Sequence, residues 1–152
     1  CAHCPPHTPP IEEVKTTFSK YTYALLMDLV VPPEIIAGKE AEETKSFVPS
    51  GLKMYNLVSK IEAEAFYDGY PFALGFAVGS CKFYFCAGKE CTVLTTTQGC
   101  RKPLLSRPSM EAMGINVFAM AAEAGWDIYP IGHSSNPAEV GVAHRIGIVF
   151  IY

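Results

Sequence analysis

Charge is scarce in this sequence: Asp, Glu, Lys and Arg make up only 18% of it, against 49% apolar residues. That balance excludes a disordered chain, which carries the reverse. There is no positive excess to draw a nucleic acid, since the net charge is −3. No apolar run approaches the ~18–20 residues of a membrane span. The longest candidate, Tyr23–Val31, is broken by Asp28 and closed by Pro32 and Pro33. Also missing are a Gly-rich phosphate loop, G-x-S-x-G, H-E-x-x-H and an EF-hand loop. The Cys and His residues are not marked as nucleophile and base by any pattern. No basic-then-apolar leader precedes Cys1. Both ends look open, because the chain starts on Cys1 and stops abruptly on the apolar run Ile146–Tyr152.

What is present is enough apolar residue, over 152 positions, to bury the core of one domain. After an irregular segment at 1–8, Thr8 and Pro9 signal a helix start, with Glu12 and Glu13 suiting its dipole. Tyr23–Val31 is expected to be a strand. Ala37–Ser46, charged and poor in apolar residues, is expected to be an exposed loop. Ser50 should cap a helix that places Met54, Leu57, Val58, Ile61 and Ala65 inward and stops at Gly69. Phe72–Val78 follows as a central strand leading into Cys81. Ser109 should cap a further helix through Ala124, and Trp126–Ile131 and Arg145–Tyr152 close the chain as two strands. The order predicts an α/β or α+β fold over 1–152, one mixed or antiparallel sheet of about four strands with helices packed on it. A cysteine-rich loop at 81–108 interrupts it.

The chemistry is concentrated in that loop. Its spacing is Cys81-x4-Cys86-x4-Cys91-x8-Cys100. Six cysteines in all would permit three disulfides in a secreted protein. Their crowding, and a composition that needs no covalent staples, instead favour metal-bound thiolates in a reducing, cytoplasmic setting. Four thiolates suit either a zinc ion or an iron–sulfur cluster, and gaps of four and eight residues favour the larger body. Lys82, Lys89, Arg101, Lys102 and Arg107 surround these cysteines against the single acid Glu90. Such cations stabilise thiolates and a negatively charged centre. Arg101 and Arg107 are therefore candidates to lie beside the centre, Arg107 with its guanidinium on the cluster or on an anionic ligand next to it.

The N-terminal run Cys1-Ala2-His3-Cys4-Pro5-Pro6-His7 adds two thiols and two imidazoles. Cys1 and Cys4 have good metal spacing but do not close a site alone. They are candidates for a second centre or for remote ligation of the first. His133 and His144 bracket a polar loop and are weaker candidates, because a lone loop histidine is more often solvated. Ser109 and Glu111 are explained by capping and the helix dipole.

Cys100-Arg101-x-Pro103, followed by Arg107-Pro108-Ser109-Met110-Glu111-Ala112-Met113-Gly114-Ile115-Asn116-Val117, resembles the signature of the DUF2284 family of predicted metal-binding proteins. Cys4-Pro5-Pro6 resembles that family's N-terminal C-P-P segment. The resemblance implies cysteine-ligated metal, presumed to be a [4Fe-4S] cluster, in anaerobic bacteria and archaea. It implies no established reaction. An electron-transfer or accessory role beside a redox protein or larger enzyme complex is the expectation. Asn116 departs from the usual Asp, and the family's cysteines upstream of C-P-P are not in this chain. Whether an upstream segment supplies further ligands stays open at this point.

Overall fold

The computed structural model describes all residues, 1–152. Helix α1 (Ile11–Phe18) leads to strand β1 (Tyr23–Val31), then α2 (Gly38–Thr44) and the long α3 (Val48–Tyr67). A short strand β2 (Leu74–Phe76) precedes two helical turns in the cysteine loop, α4 (Cys81–Phe85) and α5 (Thr92–Thr95). Helix α6 (Val117–Glu123) and strand β3 (Ala143–Ile151) complete the chain. The sheet is wholly antiparallel in the order β1-β3-β2, with Tyr23 opposite Ile151 and Val31 opposite Ala143.

Alternation along the strands divides the core between the two faces of the sheet. Met27 and Val149 face Met54, Tyr55 and Val58 of α3. Ile146, Ile148 and Phe76 face Val117, Ala121 and Met110. Helix α3 lies close enough to the sheet that a Cβ on Gly147 would come within 2.7 Å of Met54 Sδ and 2.8 Å of Val58 Cγ2. At its start, a Cβ on Gly51 would fall 2.1 Å from the Tyr84 ring of α4, so glycine there lets α4 seat against α3.

Several expectations are corrected. The sheet has three strands, because Trp126–Ile131 is not one of them. Pro130 cannot donate to a ladder, and Trp126 and Ile128 instead cover the α6 side of the core. The central strand is β3; Phe72–Val78 contributes only the short edge strand β2. The charged stretch after Ala37 is helix α2: its Glu and Ala residues favour helix, and Ala41 supplies a buried contact. Helix α1 begins at Ile11, after Pro10, without a side-chain cap from Thr8. Helix α3 begins at Val48, ahead of Ser50. Ser109 does cap, accepting from Ala112 N at 3.2 Å, but only a 3-10 turn over Glu111–Met113 that ends at Gly114 with φ +76°. The helix restarts at Asn116, whose Oδ1 accepts from Ala119 N at 3.0 Å. Asp caps as well as Asn, so a capping role accommodates either residue there.

The fold positions the cysteine loop by closing its two stems against each other. Ala77 N donates to Pro108 O at 3.0 Å, and Ala77 pairs with Ser109 in a parallel bridge. Tyr55, fully buried on α3, directs its hydroxyl at both stems: Gly79 O is 3.3 Å away and Arg107 O 3.4 Å. Burial, then the charges of Cys81, Tyr84, Cys4 and Glu111, push its phenol pKa far up, so it stays a protonated donor. Tyr55→Phe keeps the ring but removes the donor, and is expected to lower stability by about 1–2 kcal/mol. Chemical denaturation of the two proteins checks this; equal midpoints would show that the stems close without the hydroxyl.

Candidate metal centre

The segment 81–108 has little regular structure, so its cysteines are placed by turns. Cys81 opens α4, with Ser80 as N-cap accepting from Lys82 N at 3.3 Å. Cys86 ends that turn, and Cys91 stands at the N-cap position of α5. Cys100 lies beyond, its sulfur accepting from Lys102 N at 3.3 Å. All four line one pocket, together with Cys1. All six cysteines of the chain are free thiols.

The N-terminal residues fold back onto this loop. Cys1 Sγ is 3.8 Å from Cys81 Sγ, and Ala2 and His3 complete that side of the lining. Cys4 does not line the pocket; its sulfur rests 3.3 Å from Ser80 Oγ. The cavity that the lining residues share is about 70 Å³, several times the ~10–15 Å³ that one water requires. No three Cys, His, Asp or Glu side chains stand close enough to grip a single metal ion. The donors are instead spread round a shared space.

The thiols differ in acidity. Burial raises the Cys81 pKa; the Ser106 hydroxyl opposes this by hydrogen bonding to the sulfur, and the charges of Cys4, Cys100 and Cys91 add to the rise. Cys91 is lowered, first by the backbone N–H of Ala2 and, against burial, by those of Val93 and Leu94. Burial lowers the His3 pKa, with Arg107 adding to it, which favours the neutral imidazole.

The cations separate into two groups. Lys82, Arg101 and Lys102 line the pocket, where positive charge favours thiolate. Arg101 Nη1 also donates to Glu90 O. Arg107 is a correction: its guanidinium is committed to Glu62 of α3, not to the pocket. Nε donates to Glu62 Oε2 at 2.8 Å, Nη2 donates to the same oxygen, and Nη1 reaches Pro103 O and Ser106 O at 3.2 and 3.0 Å. Glu62 Oε1 meanwhile accepts from Gly75 N at 2.9 Å, so one carboxylate joins α3, β2 and the loop's end. A carboxylate 45 positions away had no sequence signal to reveal it. The histidines outside the N-terminus do not join the centre either. His133 lies in another cleft, and His144 Nδ1 is 2.8 Å from Asp28 Oδ2 across β1 and β3.

Ser80 and Ser106 are the site residues that sequence spacing missed. Ser80 Oγ lies 3.5 Å from Cys1 Sγ as well as near Cys4, and Ser106 Oγ lies 3.2 Å from His3 Nδ1. Serine is too common in loops to stand out; only adjacency to Cys81 hinted at Ser80.

The donor set fits a thiolate-held metal centre: five sulfurs, a neutral imidazole and lining cations share one space. A protein-family model described as "Predicted metal-binding protein (DUF2284)" matches residues 1–151. No curated protein and no solved structure matches the chain.

Two outcomes follow from this geometry. In the reduced, metal-free protein at neutral pH, iodoacetamide is expected to modify Cys91 before Cys81, because Cys91 holds more thiolate and Cys81 is buried; peptide mass spectrometry gives the order, and equal rates would contradict it. Arg107→Ala should lower stability by about 2–3 kcal/mol, the range for losing hydrogen bonds to a charged partner. Thermal unfolding measures that loss, and an unchanged midpoint would make the Glu62 pair dispensable.

Proposed function

The chain belongs to the DUF2284 family of predicted metal-binding proteins, and from that premise we propose that it carries a [4Fe-4S] cluster on Cys81, Cys86, Cys91 and Cys100. The observation that carries this reading is the shared pocket lined by all four thiols. Tetrahedral zinc, with Zn–S near 2.3 Å, draws its sulfurs to within ~3.8 Å of one another. A cubane keeps its ligand sulfurs farther apart because each binds a different iron.

When bound, a cluster supplies one-electron chemistry. The residues of this chain hold and screen it. Lys82, Arg101 and Lys102 would balance its negative charge, Lys102 N donates to the Cys100 sulfur, and Phe85 and Val93 add apolar surface to the lining. Fewer solvent contacts and more N–H···S bonds both tune a redox potential. The role that suits a small chain without a marked catalytic pair is electron transfer, or accessory service to a larger enzyme complex or redox protein in the cytoplasm of an anaerobe. No helix is long and apolar enough to cross a membrane.

One observation favours a second reading, a zinc-stabilised interaction module: Cys1 and Cys81 are 3.8 Å apart, the separation of two sulfurs on one zinc ion. Anaerobic purification with iron, zinc and sulfide analysis separates the two. The cluster predicts a brown protein with about four iron and four sulfide per chain. Cys100→Ser should lose that content and melt lower by roughly 2–8 °C, since metal-binding free energy is partly folding free energy. A colourless protein holding stoichiometric zinc, with no uptake of iron and sulfide, sinks the cluster reading.

A further inference from the structure

Two serine hydroxyls stand between the N-terminal segment and the cysteine loop, and their contacts account for how that segment is held. The segment has no helix or strand before Ile11. Its own backbone bonds, Cys4 N to Cys1 O at 3.0 Å and His7 N to Cys4 O at 2.9 Å, are local turns that attach it to nothing. Ser80 Oγ meets both sulfurs of the Cys1-x2-Cys4 pair, at 3.5 and 3.3 Å. The same oxygen accepts from Lys82 N, so its position is set by the turn that presents Cys81. Ser106, only 5% exposed, lines the pocket together with Cys81 and contacts His3 Nδ1 at 3.2 Å. Each serine therefore links N-terminal donor residues to the cysteine loop, Ser80 at its start and Ser106 near its end.

We propose that Ser80 and Ser106 are positioning residues that hold Cys1, His3 and Cys4 against the cysteine loop, so that the N-terminal segment forms one wall of the metal pocket. This deepens the metal reading and rests on it for its consequence: without that wall the centre would lose the Cys1 thiol beside Cys81 and the His3 imidazole from its lining, and open to solvent on that side.

The test begins with the reduced, metal-free full chain. Alkylation of Cys1 and Cys4 by iodoacetamide is followed by mass spectrometry, with the urea-unfolded chain as reference. Both thiols are expected to react at least threefold more slowly in the folded protein. Ser80→Ala should release Cys1 and Cys4, and Ser106→Ala should release Cys1, each by a similar factor, while Ser106→Thr, which keeps the hydroxyl, restores protection. His3→Ala breaks the Ser106 contact from the N-terminal side and should also raise the Cys1 rate, which decides the matter if a serine variant does not fold. In protein loaded with iron and sulfide, the alanine variants should release iron to a ferrous chelator several-fold faster, and the threonine variant should not. Thiols as reactive in the folded wild type as in urea, or alanine variants with unchanged rates, overturn the proposal. A chain that takes up no metal yet protects Cys1 keeps the positioning role and removes the metal reading; a chain that loads metal with Cys1 unprotected does the reverse.

Discussion

The closure of the cysteine loop at its base is the constraint on which the candidate centre depends. A loop of this length with little regular structure has many conformations, and ordering it costs backbone entropy at every residue. The ends are brought together by backbone pairing of Ala77 with Pro108 and Ser109, and by one buried hydroxyl, that of Tyr55, directed at both stems. Tyr55 can do this because α3 packs tightly on the sheet, and that approach is possible because Gly147 has no side chain where Met54 and Val58 need room. A packing requirement in the core thus becomes a geometric requirement at the site.

A second consequence of that base is where the charges go. The loop is rich in cations, yet they do different work. Glu62 of α3 captures Arg107 and satisfies the Gly75 N–H, tying the end of the loop to the edge strand. Lys82, Arg101 and Lys102 remain beside the sulfurs. The division follows from burial: a partly buried guanidinium requires a carboxylate partner, whereas cations on the pocket rim keep their hydration and still favour thiolate.

The N-terminal segment shows the same economy of fixed groups. It has no core of its own, and Cys1 packs against the cluster built around Met54 and Tyr55. Two serine hydroxyls supply its polar attachments. Donors 80 positions apart, Cys1 and Cys81, become neighbours through a handful of contacts.

By itself the sequence determined the parts whose cause is local. The spacing of Cys81, Cys86, Cys91 and Cys100 announced a shared pocket, because thiols so close along a chain have short reach to one another. The run Tyr23–Val31 between turn signals was legible as a strand, and Gly69 as the end of α3, because φ +99° there is open to glycine. The motif from Cys100 to Val117 identified the family. Only the tertiary structure decided the rest. Trp126–Ile131 has a strand's composition, but the sheet it would join already has its apolar face covered by that very segment. Ala37–Ser46 is polar enough for a loop, yet one buried face at Ala41 suffices to hold a helix of good formers. Arg107 found Glu62, Cys1 found Cys81 and Ser106 found His3 across separations that leave no periodic trace. Those pairings are set by how α3 seats the loop on the sheet, and contacts made by packing distant elements have no signature in the order of the residues.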